Sequence, residues 1–166
     1  MYVRQLSSDD TTDFLMLRRQ ALIEEPERFR VSSADDDKLG VDFWRNRLTT
    51  DRVFGVFDDH ELIGIDGLGR FVGEKLCHKG LIWGMYISRQ ARGSTASHLL
   101  MTALIEAAQG FVTQLQLTLM ADNSRARAYY ERYGFKLYAI EPGSVMTPDG
   151  PGDEALMWRL VDPARS

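Results

Sequence analysis

The stretch that decides the fold runs from Ile87 to His98, Ile-Ser-Arg-Gln-Ala-Arg-Gly-Ser-Thr-Ala-Ser-His, and continues through Leu99-Leu-Met-Thr-Ala-Leu104. An apolar run with the pattern of a strand ends here in a polar turn, and an amphipathic helix begins directly afterwards. The first four N–H groups of a helix lack partners inside the helix, and the helix dipole places partial positive charge on them. The pattern therefore predicts a site that can hold phosphate groups.

Side chains in the turn add to this main-chain site. Arg92 supplies a cation and Ser94 a hydroxyl group, and residues 94–97 are all small, which keeps the surface open. Gly93 lacks a Cβ atom, so it tolerates a positive φ and lets the main chain approach a ligand closely. Many strand-to-helix turns carry a glycine for geometry alone, so this segment by itself fits both a phosphate site and an ordinary turn.

A second strand-to-helix unit follows farther along the chain. The run Leu117-Thr-Leu-Met-Ala-Asp-Asn123 has the pattern of a strand that ends at a favourable N-cap residue, Asn123. One alanine and three tyrosines after this cap fall on one face of a helix, namely Ala126, Tyr129, Tyr130 and Tyr133. Gly134 then ends that helix, so two such units stand in sequence. Tyr129 and Tyr133 are interpreted as packing residues.

These two segments resemble the signatures of the GNAT superfamily, whose members are acyl-CoA-dependent N-acetyltransferases. The cofactor signature of that family, Gln/Arg-x-x-Gly-x-Gly/Ala, is similar to Gln90-x-x-Gly93-x-Thr95. The second signature is an Asn, an Ala three residues later and Tyr-Glu-x-x-Gly-Phe, and it is similar to Asn123, Ala126 and residues 130–135. Thr95 departs from the family pattern, and its branched side chain would crowd a pyrophosphate unless it points away or donates its hydroxyl.

The resemblance implies a mixed α/β (α+β) GNAT fold. Its central, mostly antiparallel mixed sheet has about seven strands, is flanked by about four helices and is splayed between the fourth and fifth strands. Local patterns predict the element order β-α-α-β-β-β-α-β-α-β-β, which is the order expected of this fold. The predicted strands are 2–6, 52–57, 62–71, 79–88, 114–120, 135–140 and 155–161. The predicted helices lie between Asp10 and Pro26, over 41–48, over 94–109 and after Asn123, and loops are expected around 35–38 and over 142–152.

The resemblance also implies acetyl-CoA as the cosubstrate, without a metal ion. The acyl carbonyl and pantetheine would bond to the main chain of residues 84–87, with the Met85 N–H as the oxyanion donor. A bulge at Trp83-Gly84 would separate this strand from its neighbour and leave backbone groups unpaired for the cofactor. The residues implied in cofactor binding are Met85, Tyr86, Ile87, Arg92, Gly93, Ser94, Thr95, Ala96, Ser97, His98, Asn123, Ala126 and Tyr130.

Acetyl transfer to an amine requires a deprotonated amine, a polarised thioester carbonyl and a proton for the departing thiolate. The resemblance implies that Tyr130 is the general acid, and a phenol with a pKa near 10 stays protonated at neutral pH. Asn123 would cap its helix, either alone or together with a hydrogen bond to the cofactor arm.

The general base is left open by the sequence. We call the segment from Gln90 to His98 the phosphate turn. Some family members place a glutamate early in the strand before this turn, but Leu81 stands at that position here. The candidate bases are His78, Asp66 and Glu154, and water or a solvent relay is the alternative.

Composition fits one enzyme domain that spans residues 1–166. The chain is 44% hydrophobic and 27% charged, which is enough to bury one core, and nothing marks a linker. Cys77 is the single cysteine, so we expect neither a disulfide framework nor a multi-cysteine metal site. No signal-peptide pattern or long apolar run is present, so we expect a cytoplasmic protein that does not enter a membrane.

The partners expected from the sequence are small-molecule or peptide amines. The net charge is −4 and the basic residues are scattered, which argues against nucleic acid and mildly favours a cationic acceptor. The acceptor side should be bordered by the loops at 24–30 and 142–152, whose mixed charges also fit a solvated surface. A homodimer is allowed for.

The sequence offers four further interpretations. The segment Gly64-Ile-Asp-Gly67-Leu-Gly69 looks like a phosphate loop but runs into more strand, so it is predicted to be a glycine-rich strand. Cys77 and His78 are neighbours on a strand and would point to opposite faces, which disfavours a nucleophile and base pair. A non-catalytic acyl-CoA-binding domain remains the alternative function, whereas a nucleotide hydrolase is disfavoured because no Gly-Lys-Ser/Thr loop is present.

Overall fold

The computed structural model describes residues 1–162. The seven strands are β1 (Tyr2–Gln5), β2 (Arg52–Asp58), β3 (Glu61–Arg70), β4 (Lys79–Ile87), β5 (Gln114–Met120), β6 (Lys136–Thr147) and β7 (Gly150–Leu160). The four α-helices are α1 (Thr11–Glu24), α2 (Ser33–Thr50), α3 (Ala96–Ala108) and α4 (Ser124–Arg132). Short 3-10 turns occupy Ser8–Asp10, Pro26–Arg28 and Arg89–Ala91. Within residues 1–162, the helices are all too short or too polar to span a membrane.

All seven strands form one mixed sheet in the order β1-β2-β3-β4-β5-β7-β6. β4 and β5 are parallel, and every other neighbouring pair is antiparallel. This arrangement confirms the predicted fold class and element order. The sheet has an apolar core on each face. One core includes the buried face of α3, with Leu100 and Leu104, and the other includes Phe14, Leu17 and Trp44 from α1 and α2.

The sheet opens between β4 and β5, as predicted. Lys79, Gly80 and Leu81 pair with residues 114–116, and beyond Leu81 the two strands share no further ladder pairs in the described chain. β4 nevertheless continues to Ile87 and β5 continues to Met120. The main chain of β4 therefore presents unpaired groups toward a gap.

A bulge in β4 lies beside this gap. Ile65 of β3 pairs with Tyr86 and Gly67 pairs with Trp83, so two steps along β3 match three steps along β4. Gly84 has a φ of +73°, a left-handed conformation that glycine adopts without a Cβ clash. The bulge predicted at Trp83-Gly84 is therefore present, and it re-aims the main chain at Met85.

Two predicted loops are wrong. The loop predicted over 142–152 is instead part of a long β6–β7 hairpin, with its turn between Thr147 and Gly150. The proline and glycine residues are accommodated because the register shifts between Glu141 and Val145, and a proline is tolerated where a ladder hydrogen bond is missing. The prolines and glycines of this irregular hairpin gave the segment the sequence pattern of a loop.

The charged loop predicted around 35–38 is helical. Ser32 caps α2 by accepting a hydrogen bond from the Asp35 N–H at 3.1 Å, and acidic side chains in the first turn favour the helix start. Gly40, with a φ of +76°, interrupts α2. The helix predicted over 41–48 corresponds to the segment after this break.

Candidate active site

A cavity of about 680 Å³ occupies the gap where β4 and β5 separate. This volume lies in the range of small-molecule sites, which is roughly 300–1,000 Å³. Its lining comes from β4 (residues 82–87), the following turn (91–94 and Ser97), β5 (117–119), α4 and its cap (Asn123, Arg125, Ala126, Tyr129, Tyr130, Arg132) and the segment after α1 (Glu25, Arg28, Phe29). The cavity thus connects the two faces of the sheet.

Most of the predicted cofactor residues meet at this cavity. Those that line it are Met85, Tyr86, Ile87, Arg92, Gly93, Ser94, Ser97, Asn123, Ala126 and Tyr130. Thr95, Ala96 and His98 are not lining residues. Ala96 is fully buried in the core below α3, and His98 Nδ1 lies 2.8 Å from the hydroxyl of Tyr133. Thr95 is exposed outside the lining, so its branched side chain does not narrow the cavity.

The turn before α3 offers main-chain donors to an anion. Ser94 Oγ accepts a hydrogen bond from the Ala96 N–H at 3.2 Å and so takes one of the free helix donors. Within residues 1–162, the N–H groups of Gly93, Thr95 and Ser97 have no acceptor. Gly93 has a φ of +80° and would meet no atom within 4 Å of an added Cβ, so the approach to these donors is open. This arrangement suits a phosphate group.

Two acceptors, one after α1 and one at the end of β4, position the Arg92 side chain. Its Nη1 lies 2.9 Å from Oε1 of Glu25, and its Nε donates to the Ile87 carbonyl at 3.2 Å. Glu25 belongs to the segment after α1, so this ion pair joins the phosphate turn to the opposite face of the sheet. The Arg92 side chain keeps about a third of its surface exposed and can still reach an anion.

α4 is held at the edge of the cavity by its cap and by its tyrosines. Asn123 Oδ1 accepts from the Ala126 N–H at 3.1 Å, which is the predicted capping bond. The Tyr129 hydroxyl donates to the Ser97 carbonyl at 2.7 Å and ties α4 to the first turn of α3. Tyr129 also lines the cavity, so it does more than pack in the core.

Tyr130 is buried and is one of the residues that line the cavity. It packs edge-on against Tyr129 and Phe135, with ring centroids 5.2 and 5.7 Å away. No group in residues 1–162 hydrogen-bonds to its hydroxyl. Burial raises the pKa of Tyr130 far above its ordinary value, and the nearby Asp66 side chain raises it further. The phenol is therefore protonated at neutral pH and has a proton to donate.

Asp66 is the one base candidate near this tyrosine. It lies on β3 opposite Phe54, is 1% exposed, and both carboxyl oxygens are buried without a hydrogen-bond partner in the described residues. Burial raises the pKa of Asp66 well above its ordinary value, which favours the neutral form of the carboxyl. A neutral acid sealed from the cavity lining does not accept a proton from an amine as it stands.

The other two base candidates lie elsewhere. His78 is exposed in the segment before β4, at the opposite end of that strand from Met85, and its carbonyl accepts from the Thr113 N–H at 2.8 Å. Glu154 is buried on β7, where Arg30 donates to it at 2.5 Å and Ser144 donates to it at 2.5 Å. The structure brings neither side chain into the cavity lining. Leu81 occupies the start of β4 without any titratable group.

Sequence reasoning missed three arginines. Arg125 and Arg132 line the cavity from α4, and their spacing of seven residues places them with Tyr129 on one helical face, which was a usable signal. Arg18 is buried on α1 and forms a bidentate pair with Asp36, whose Oδ1 lies 2.7 Å from Nη2. Arg18 lies four residues after Phe14 and four before Leu22, so it falls within the buried stripe of α1. A charged residue inside an apolar stripe was the signal in the sequence that could have identified it.

Comparisons with known proteins agree with this geometry. The Acetyltransferase (GNAT) family model matches residues 17–135 of the chain. A GNAT-family acetyltransferase from Streptococcus pneumoniae is similar in structure, with a TM-score of 0.84, 20% identity, and coverage of 96% of this chain and 98% of that one. A ribosomal-protein-alanine N-acetyltransferase from Brucella melitensis has a TM-score of 0.79 at 19% identity, covering 96% and 99% of the two chains.

A third similar structure is yncA, a putative acetyltransferase from Salmonella typhimurium solved with its cofactor acetyl-CoA. Its TM-score is 0.82 at 14% identity, and the likeness covers 100% of this chain and 96% of that one. Among curated proteins, none matches this chain significantly in sequence. The family match spans well over half of the chain and includes β4, the phosphate turn and α4. The chain therefore belongs to the GNAT family of acetyltransferases.

Proposed function

We propose that this protein transfers an acetyl group from acetyl-CoA to a primary amine, with both substrates bound at once. The observation that carries this proposal is the cavity between β4 and β5, which connects the phosphate turn on one face of the sheet to the segment after α1 on the other. A donor and an acceptor can therefore reach the same main-chain segment, residues 84–87, from opposite sides.

Groups along the cavity suit successive parts of the donor, acetyl-CoA. The N–H groups of Gly93, Thr95 and Ser97 would hold the pyrophosphate, with Arg92 adding a cation. The unpaired main chain of β4 would bond to the pantetheine arm in the manner of an added strand. Arg125 and Arg132 line the same side and would hold further phosphate charge.

In the transfer step, the amine nitrogen forms a bond to the acyl carbon and the carbon–sulfur bond breaks. The Met85 N–H would stabilise the negative charge that develops on the acyl oxygen. Tyr130 would give its proton to the departing thiolate, because burial keeps the phenol protonated. The amine proton would leave through water, since Glu25 is the one carboxylate in the lining within residues 1–162 and it is paired with Arg92.

The alternative function is a domain that binds acyl-CoA without catalysing transfer. The absence of a glutamate at Leu81 motivates it, because that position offers no base. Both functions predict binding of the donor, but only the enzyme releases CoA when an amine is present.

A free-thiol assay separates the two functions. Purified protein is incubated with acetyl-CoA and with amines, amino acids and peptides, and CoA release is followed together with acetyl-CoA-dependent heat stabilisation. The proposal expects stabilisation and amine-dependent release. Heat stabilisation without CoA release with any acceptor would support the alternative, a domain that only binds acyl-CoA. Absence of both stabilisation and release would contradict acyl-CoA use altogether.

Three expectations from the sequence stay predictions: a single domain over residues 1–166, a cytoplasmic location, and a homodimer. Sedimentation of the purified chain would test the last of these.

A further inference from the structure

Arg18 is a buried cation that the transfer step does not use. Its side chain is 7% exposed, and it lies on α1, against the face of the sheet opposite α3. Nε donates to both carboxyl oxygens of Asp36, at 3.1 and 3.0 Å, and Nη2 donates to one of them at 2.7 Å. The guanidinium carbon lies 4.0 Å from the centre of the Trp44 ring. These contacts fix the plane of the group.

The remaining nitrogen, Nη1, has no partner within residues 1–162. The polar side-chain atoms that are both enclosed and unpartnered there are Trp44 Nε1, the two Asp66 oxygens and Ser88 Oγ. Nη1 is not among them, so it keeps contact with solvent and can donate to a ligand. A guanidinium that is held on one edge by a carboxylate and free on the other is arranged to bind a second anion.

Nη1 points to the bulge of β4. A Cβ built on Gly84 would lie 3.6 Å from Nη1, and no other atom outside the neighbouring residues would come within 4 Å. Gly84 lines the cavity and directly precedes Met85, the proposed oxyanion donor. A side chain at residue 84 would stand between Arg18 and the cavity, so the glycine leaves this path open.

Three carboxylates that contact β4 or the turn after it are already paired. Glu24 accepts from Tyr86 and lies 3.1 Å from Arg89 Nε, and Glu25 is paired with Arg92. Asp51 accepts from Trp83 Nε1 at 2.9 Å and from Arg47 at 3.1 Å. None of these three carboxylates is left unpaired to compete with a ligand for Arg18 Nη1.

Resting on the proposed function, we propose that the acceptor is a primary amine that carries its own carboxylate, such as a free α-amino acid, and that Arg18 binds that carboxylate. The donor occupies the α3 face, so the acceptor must enter from the α1 face, where Nη1 is presented. A carboxylate held at Nη1 would place an adjacent amine beside Met85. Arg18 is thus a specificity-determining residue.

The test compares α-amino acids with their primary amides, which keep the amine and the side chain but lose the negative charge. kcat/KM for acetyl transfer is measured with each pair. We expect the wild-type protein to prefer the acid by about 10- to 100-fold, the range of a charge-assisted hydrogen bond. The amide has the more readily deprotonated amine, so this bias acts against the expected result.

Two variants locate the preference in Arg18. Arg18→Gln combined with Asp36→Asn removes both charges, so no buried carboxylate is left alone, and the acid-to-amide ratio should fall toward one through a higher KM for the acid. The matched control is Arg19→Gln, because Arg19 pairs with Asp37 one position along the same helices but is 67% exposed. This control should keep the wild-type ratio.

The outcomes separate the two proposals. Equal use of acid and amide by the wild-type protein would overturn the role of Arg18 while leaving acetyl transfer intact. A ratio that survives in the folded double variant, as judged by circular dichroism, would overturn it too. An equal fall in kcat for both acceptors would also contradict it, because it would place Arg18 at the acyl group. Absence of transfer to every amine would contradict the proposed function itself.

Discussion

The hydroxyl of Tyr86 donates a 2.7 Å hydrogen bond to Oε2 of Glu24, and this bond ties β4 to the last residue of α1. Tyr86 lines the cavity, and Glu24 precedes three lining residues on the other side, Glu25, Arg28 and Phe29. Burial and the neighbouring carboxylate raise the pKa of Tyr86 to about 12. One side-chain bond thus connects the predicted donor strand to the acceptor side.

Replacing Tyr86 with Phe should loosen that connection. Losing one hydrogen bond costs about 1 kcal/mol, which lowers Tm by about 2–4 °C in a chain of this size. The stabilisation from the raised pKa is complete below the unfolded pKa of about 10 and is lost as pH rises toward 12. The Tm difference between wild type and variant should therefore be constant from pH 7 to 9 in thermal melts. A difference that vanishes near pH 7 would contradict the bond.

Tyr130→Phe tests the general acid. The variant removes the proton donor but keeps the packed ring, so kcat should fall by about 100-fold with little change in the Kd for acetyl-CoA. Steady-state kinetics and a binding titration give the two numbers. Tyr138→Phe is the control, because Tyr138 is 51% exposed on β6 and lies outside the cavity lining. Equal losses in kcat and affinity would argue for a binding role.

Gly84→Ala tests the bulge. A residue with a Cβ at a φ of +73° is strained by about 1–2 kcal/mol, so the variant should melt a few degrees lower and bind acetyl-CoA less tightly. Gly73→Ala is matched, since Gly73 also has a positive φ, +100°, but lies outside the cavity lining. It should lower Tm without changing the Kd. Similar effects of both variants on the Kd would contradict a role of the bulge in donor binding.

Asp66→Asn tests the neutral carboxyl. A raised folded pKa stabilises the protein fully below the unfolded value of 3.8, and that contribution is lost as pH rises toward the folded pKa. Wild type should therefore lose stability relative to the variant as pH rises above about 4, by up to about 1.4 kcal/mol per pH unit. Urea unfolding at several pH values measures this. A difference independent of pH would show that Asp66 is ionised in the folded protein.

Glu154→Gln tests whether Glu154 has a structural role or is the general base. Glu154 is held by Arg30 and Ser144, and Arg30 is 57% exposed, so weakening the pair should cost only about 1–2 kcal/mol. The pH dependence of kcat/KM should keep its wild-type shape, because the side chain does not reach the cavity. Loss of the acidic limb of that profile, where a general base becomes protonated, would instead identify Glu154 as the base.

The sequence was most informative where function and local folding use the same residues. Gly93 and Asn123 are needed both for the turn or cap and for the cavity, so the two strand-to-helix units were predictable from their residues, whereas the gap beside β4 was predicted from the resemblance to the GNAT superfamily. The bulge at Trp83-Gly84 was also predicted from that resemblance, and the left-handed φ of Gly84 explains why a glycine stands there.

Residues set by tertiary contacts were not predictable. The β6–β7 hairpin appears as a loop in sequence because Pro142 and Gly143 lie in an irregular stretch of edge pairing. Asp66, Glu154 and His78 looked equivalent as candidate bases, and only burial and partners distinguish them. The pair of Arg18 and Asp36 joins α1 and α2 through residues that are 18 positions apart, a contact that no local pattern contains.

A structure of the protein in complex with acetyl-CoA tests the central claim most directly. The account predicts the pyrophosphate on the N–H groups of Gly93, Thr95 and Ser97, the pantetheine arm along residues 84–87, and the sulfur within hydrogen-bonding distance of the Tyr130 hydroxyl. Acetyl-CoA bound outside the gap between β4 and β5, or with its sulfur remote from Tyr130 and Met85, would contradict it.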